Sequence, residues 1–196
     1  MKISAEQVKA LRKETGLSVM ECKKALEETG GDHQKALERL KVLGLQMVKD
    51  KSSRETHEGR VGAYIHTNGR IGVLVEVNCE SDFVARTDDF QDLVKNLCLQ
   101  VTATNPAWVD RESVPEKVVE EQKRLIQQQF CVDKPAEVAE KILNGKLEDF
   151  YQQHVLLEQK FIRDESLRVK DYLSQKVAKL GENIRVRRFV RFALGE

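Results

Sequence analysis

Hydrophobic residues in this chain change their spacing several times, and the changes outline its elements. Over the first 45 residues or so they recur every three or four positions, the period of a helix face. Val8 and Leu11 mark one stripe, Val19, Cys22 and Leu26 a second, and Ala36, Leu37 and Leu40 a third. Ser4-Ala5-Glu6-Gln7 and Ser18-Val19-Met20-Glu21 each read as a capping box, a hydroxyl and a carbonyl-bearing side chain three residues apart. Gly16 and Gly30-Gly31 punctuate the helices, and Asp32 caps the third. The apolar pattern lapses from Gln46 to Glu58, so 46–58 reads as a linker that helix can occupy in part.

The period then drops to two. Val61, Ala63 and Ile65 alternate with Arg60, Tyr64 and His66, and Asn68-Gly69 supplies the positive dihedrals of a tight hairpin turn. The return strand carries Ile71, Val73, Val75 and Val77 on one face. Helical spacing resumes from about Asp88 to Ala103, with Phe90, Leu93, Val94, Leu97 and Val101 as its buried side, and Pro106 stops it. Two further helices are predicted at about Glu116–Gln129 and Ala136–His154, with Pro115 and Pro135 in their first turns. Val155–Arg168 shows no period and reads as an extended loop. Val169–Leu180 is a helix ending at Gly181. The last segment alternates again: Ile184, Val186, Val190 and Phe192 lie one way, Arg185, Arg187, Phe189 and Arg191 the other. This predicts a third strand. The fold class is α+β, a small antiparallel sheet covered by helices behind an N-terminal three-helix region. The domains are 1–45, the linker 46–58, and a core at 59–196.

Composition narrows the classes. Lys+Arg is 33 against Asp+Glu 32, which argues against wholesale nucleic-acid binding. No segment is apolar enough to span a membrane. Met1-Lys2-Ile3-Ser4-Ala5-Glu6 lacks the apolar core of a signal peptide, and a cytoplasmic protein is expected. Cys22, Cys79, Cys98 and Cys131 form no Cys-x-x-Cys pair and read as small buried hydrophobes in a reducing compartment. Neither a metal site nor a cofactor is expected.

Glu76-Val77-Asn78-Cys79-Glu80-Ser81-Asp82-Phe83-Val84-Ala85-Arg86 is the most informative run. The strand alternation stops at Asn78, Ser81 is placed to cap a helical turn, and an acid and a large aromatic then stand together in a polar connection. The residues alone leave two readings open: a cap followed by a core aromatic, or an aromatic presented to another protein. Glu76, Glu80 and Asp82 can be taken as a carboxylate cluster for acid/base work, but their alternation with apolar residues favours a solvated strand face. Thr87-Asp88-Asp89-Phe90 repeats the acid-aromatic pair inside a helix, where Phe90 reads as core. Gly59-Arg60-Val61-Gly62 precedes a strand and lacks the phosphate-cradle spacing, so direct nucleotide binding is not expected. Arg185, Arg187, Arg188 and Arg191 beside Phe189 and Phe192 could form an RNA strip. A basic sheet face covered by acids is the preferred reading, and RNA contact is not expected.

The run Glu76–Arg86 resembles the second signature of the elongation factor Ts family, which usually has Thr where this chain has Ser81. Leu11-Arg12, Thr15-Gly16 and Lys23-Lys24-Ala25-Leu26 are similar to its first signature. Both occur in order, and the resemblance covers essentially the whole chain. It implies a guanine-nucleotide exchange factor for elongation factor Tu, with no covalent chemistry of its own. Ser81, Asp82, Phe83 and Val84 would then displace the Mg²⁺ that Tu holds against GDP. Leu11, Arg12, Val19 and Met20 would lie in the part of the N-terminal domain that grips Tu. That domain resembles the ubiquitin-associated type. Longer members look like a tandem of two core halves. This chain has length for one, and the resemblance therefore implies a two-fold homodimer through the core sheet.

Overall fold

The computed structural model describes residues 3–196, the side chain of Leu45 apart; Met1 and Lys2, part of the stretch read for a targeting signal, lie outside them. In chain order the elements are α1 (Ala5–Thr15), α2 (Val19–Glu28), α3 (His33–Lys51), β1 (Glu58–Ile65), β2 (Ile71–Cys79), α4 (Asp82–Ala85) and α5 (Asp88–Thr104). After these come α6 (Glu116–Phe130), α7 (Ala136–His154), a single 3₁₀ turn (Leu156–Glu158), β3 (Lys160–Phe161), β4 (Asp164–Arg168), α8 (Val169–Leu180) and β5 (Ile184–Ala193). β1, β2 and β5 form one sheet in that order, and β3 and β4 pair separately. The chain divides into two compact units. The first is Met1–Gly62, Glu76–Asn96 and Asp171–Arg187; the second is Ala63–Val75, Leu97–Lys170 and Arg188–Glu196.

In the first unit both capping boxes form. The Ser4 and Ser18 hydroxyls accept from the N–H groups of Gln7 and Glu21, whose side chains accept from the serine N–H groups in return. Asp32 caps α3, and Gly16 closes α1 in the left-handed region at φ 70°. Leu11, Leu17, Cys22, Ala25, Leu26, Ala36 and Leu40 make the core of these helices. A fully buried leucine contributes roughly 2 kcal/mol of transfer free energy, and a core with so few of them is small. Ala178 of α8 packs onto the same cluster. The polar stretch expected as a linker from residue 46 is helical as far as Lys51, and the Lys51 ammonium donates to the carbonyl of Gly181.

The hairpin forms as predicted. His66 N–H donates to Ile71 O at 2.8 Å, and Gly69 takes φ 68°. On β2, Val73, Val75, Val77 and Cys79 are buried. Gly59 is required at its position: a Cβ there would stand 2.2 Å from the Val77 carbonyl oxygen, and φ is 146°. Strand β5 corrects the expectation of one continuous apolar face. Ile184 and Val186 are buried, but Val190 and Phe192, of the same parity, are exposed, while Phe189, Arg191 and Ala193 become half-buried. The buried side changes between Arg187 and Arg188. Alternation alone cannot register such a change, because Val190 and Phe192 keep the parity of Ile184 and Val186.

The second unit corrects another expectation. Val155–Arg168 is not an extended loop but a 3₁₀ turn followed by a two-stranded hairpin. Buried polar residues tie it down alongside the buried Val155, Leu156 and Phe161. Gln100 donates to Lys160 O at 3.0 Å and accepts from Ile162 N–H at 2.9 Å. Glu158, only 6% exposed, accepts from Arg111 at 2.9 Å, Arg168 at 2.7 Å and Lys170 at 3.1 Å. Burial pushes its carboxyl up, but the bonds from Arg111 and Lys170 and their charges win and hold it at about 2. Such bonds are invisible to hydrophobic periodicity. Pro115 and Pro135 sit one residue ahead of the helices they were placed in, at the cap positions of α6 and α7.

Candidate functional site

The connection Cys79–Thr87 belongs to the first unit, and hydrogen bonds tie down many of its polar backbone groups. Ser81 caps the single turn α4: its hydroxyl accepts from Val84 N–H at 3.4 Å. The same hydroxyl donates to Glu182 Oε1 at 2.6 Å, while Glu182 Oε2 accepts from the N–H groups of Glu80 (3.1 Å) and Ser81 (3.0 Å). Cys79 donates its thiol to Ser81 O at 3.1 Å. Burial pushes that thiol up to about 11, with the Glu182 charge adding to it, so it remains a neutral donor. Ala85 N–H returns to Ser81 O, and Arg86 N–H to Asp82 O and Phe83 O. Ala85 is buried beneath the turn.

Glu80 completes the frame from the other side. Its carboxylate accepts from Asn183 N–H at 2.6 Å and faces the Arg54 guanidinium at 3.4 Å, and Asn183 donates its amide to Arg54 O at 2.8 Å. The Asn183 N–H bond, with Arg54 behind it, holds the Glu80 carboxyl below the usual range despite partial burial.

What this frame holds up is Phe83, which is 77% exposed. Asp82 pairs with Arg86 at 2.8 Å along the outside of the turn, and Val84 is half-buried. A phenyl ring at that exposure forfeits the roughly 2 kcal/mol its burial would provide. The core-aromatic reading of Phe83 is therefore excluded, whereas Phe90, read as core, is fully buried. The three carboxylates that could be grouped for acid/base work are tied up separately: Glu76 with Arg187 at 3.4 Å, Glu80 with Arg54, and Asp82 with Arg86. Among the described residues no three His, Cys, Asp or Glu side chains are grouped to hold a metal ion, and no helix is long and apolar enough to cross a membrane.

The N-terminal candidates divide. Met20 is 74% and Val19 49% exposed at the start of α2, and Arg12 is exposed on α1. Arg12 and Val19, together with Ile3, Val8, Lys9 and Lys23, border a cleft of about 470 Å³. Leu11 is fully buried in the helix core, where it supports that surface from beneath and does not belong to it. Sequence reasoning missed Glu182, Asn183 and Arg54. Glu182 lies 101 residues beyond Ser81, and its one local signal is an acid directly after the helix-ending Gly181.

The chain has close relatives. The sequence model of the family described as Elongation factor TS matches residues 4–196. Elongation factor Ts of Fervidobacterium nodosum is 51% identical over 197 residues, covering all of both chains. That of Coprothermobacter proteolyticus is 54% identical over the same span. That of Moorella thermoacetica is 53% identical over 195 residues, 99% of this chain and 96% of its own. With a family match over nearly its whole length and full-length relatives at about half identity, the chain belongs to the elongation factor Ts family and acts in translation elongation.

Proposed function

We propose that the chain is the guanine-nucleotide exchange factor for elongation factor Tu, working in the cytoplasm on Tu in its GDP form. One observation carries the reading: an exposed phenylalanine stands on a one-turn helix whose backbone is fixed by side chains from distant segments. An aromatic wedge on a fixed base can enter a partner without first being ordered, so little of the binding energy goes into ordering it. Phe83 enters Tu's nucleotide domain with Asp82 beside it, and Ser81 and Val84 form its base. The elements it parts carry the groups that hold Mg²⁺, which bridges the nucleotide phosphates. Displacing the metal loosens Tu's hold on GDP. No bond is made or broken, and the chain itself binds no nucleotide. Arg12, Val19 and Met20 supply a second grip from the N-terminal helices.

The working form in this reading is a homodimer. Ile65, Leu74, Val190, Phe192 and Leu194 are exposed on the strands and strand end of the second unit, and Ile65 reaches over Gly72. A row of exposed apolar side chains on paired strands supports coverage by a second copy, with two-fold pairing as the simplest closed arrangement. The function is tested by loading Tu with a fluorescent GDP analogue and adding a substoichiometric amount of this protein. Accelerated release with turnover supports the proposal; release at the intrinsic rate refutes it.

A further inference from the structure

Three of the hydrogen bonds in the frame beneath Phe83 end on one residue, Glu182. We propose that Glu182 is a positioning residue for exchange: from the turn between α8 and β5 it sets the entry angle of the Asp82-Phe83 wedge. This rests on the reading of Phe83 as the group that enters Tu.

Three donors converge on one carboxylate. Both N–H groups at the end of the strand, Glu80 and Ser81, meet Oε2, and the Ser81 hydroxyl meets Oε1. The hydroxyl is thereby oriented to keep its lone pairs toward the N–H of Val84, so the charge on Glu182 fixes the cap as well as the strand end. The cap in turn fixes α4, a single turn too short to hold itself. Remove the carboxylate and the two N–H groups and the hydroxyl lose their acceptor together. Water can replace it as a partner but cannot hold the angle.

The contact is reciprocal. Glu80 accepts from the N–H of Asn183, the residue after Glu182, and Glu182 accepts from the N–H of Glu80. Two acids on two segments about a hundred residues apart each bind the other segment's backbone. Arg54, from the stretch after α3, closes the ring through Glu80 and Asn183. The two segments can slide past one another only if both bonds break. This is the arrangement expected where a connection must resist a push directed along its exposed side chain.

The test uses the full-length protein and fluorescent GDP on Tu. E182A should lower the release rate at saturation on the order of tenfold, the loss expected when a contact is present but misplaced. The half-saturating concentration should change by less than about threefold, since the wedge geometry and not the docking surface is altered. E182Q keeps a neutral acceptor oxygen and should recover part of the loss. In an F83A background E182A should add nothing, because it acts through Phe83. Amide hydrogen exchange at Glu80 and Ser81 should speed up in E182A, with the thermal midpoint recorded alongside. If E182A is too unstable to assay, E182Q alone decides between a loss and wild-type rate. Wild-type release in a folded E182 variant overturns the proposal, as does an equal extra loss in the F83A background, which would mark a general structural role. If F83A itself releases GDP at the wild-type rate, the reading of Phe83 falls instead, and the proposal with it.

Discussion

Phe83 and Phe192 are both exposed phenylalanines attached to the same sheet, at 77% and 70%, yet their surroundings differ in kind. Phe83 stands on a one-turn helix whose polar backbone is tied down by Glu182, Cys79 and the turn's own hydrogen bonds. Phe192 lies on the flat end of a strand beside other exposed apolar residues, Val190 and Leu194 among them. A lone aromatic on a fixed base can enter a crevice and do work on what it parts. A row of apolar residues on a strand can only be covered. Exposure by itself does not distinguish the two; what is hydrogen-bonded beneath the ring does.

The strongest way to break this comparison is to remove each ring in turn. F83A should slow GDP release from Tu by about 30-fold or more, the roughly 2 kcal/mol of a central interface residue. Helix content and thermal midpoint should stay at wild-type values, since the ring contributes nothing to the core. F192A should leave saturated release essentially unchanged. Loss of secondary structure in F83A, or equal kinetic losses in both variants, would remove the distinction.

A smaller effect is expected in assembly. F192D places two charges at a symmetric contact and should shift the mass in light scattering from two chains to one, with circular dichroism unchanged. Wild-type protein should retain the dimer mass at concentrations on the order of tens of micromolar. A wild-type monomer there would contradict the covered-face reading while leaving Phe83 untouched.

The smallest effect concerns the unit that carries Phe192. Glu158 has its carboxyl at about 2 in the folded protein against 4.5 ordinarily, so folding favours the charged form. Its contribution is complete above about pH 4.5 and is lost as the pH falls toward about 2. E158Q should therefore lower the melting temperature at pH 7 by a few degrees, roughly 2–4 °C for each kcal/mol lost. The gap to wild type should close as the pH is lowered through that window. Saturated release should stay within about twofold of wild type. A gap that widens on acidification would contradict the assignment of Glu158 as the charged centre.

The sequence made the helices and the hairpin legible because their signals are local: Ser4 and Ser18 with their partners three residues on, Asp32, Gly16, and Asn68-Gly69 all act within a few positions. From the residues alone Asp82-Phe83 is an open choice between core and surface, and the resemblance to the family favours the surface. Several features were not legible, most for a nonlocal reason, Glu182, Asn183 and Arg54 among them, since they meet the Glu80-Ser81 segment only in the fold. The face change at Arg187/Arg188 leaves no mark on the alternation, since Val190 and Phe192 keep the parity of Ile184 and Val186. The hairpin after Val155 is held by Gln100 and Glu158, polar residues whose partners lie far along the chain. Leu11 is the exception: its stripe with Val8 on α1 already marks it as inward, and only its place in the signature suggests the surface.

In the proposed exchange, this protein and GDP oppose one another on Tu through Phe83. The direct measurement is the affinity of the protein for nucleotide-free Tu and for Tu saturated with GDP, taken alongside the affinity of Tu for GDP with and without the protein. The two ratios must be equal and well above one, since coupling between two ligands is reciprocal. F83A should bring both toward one together. Equal affinity of the wild-type protein for nucleotide-free and GDP-bound Tu would contradict the account.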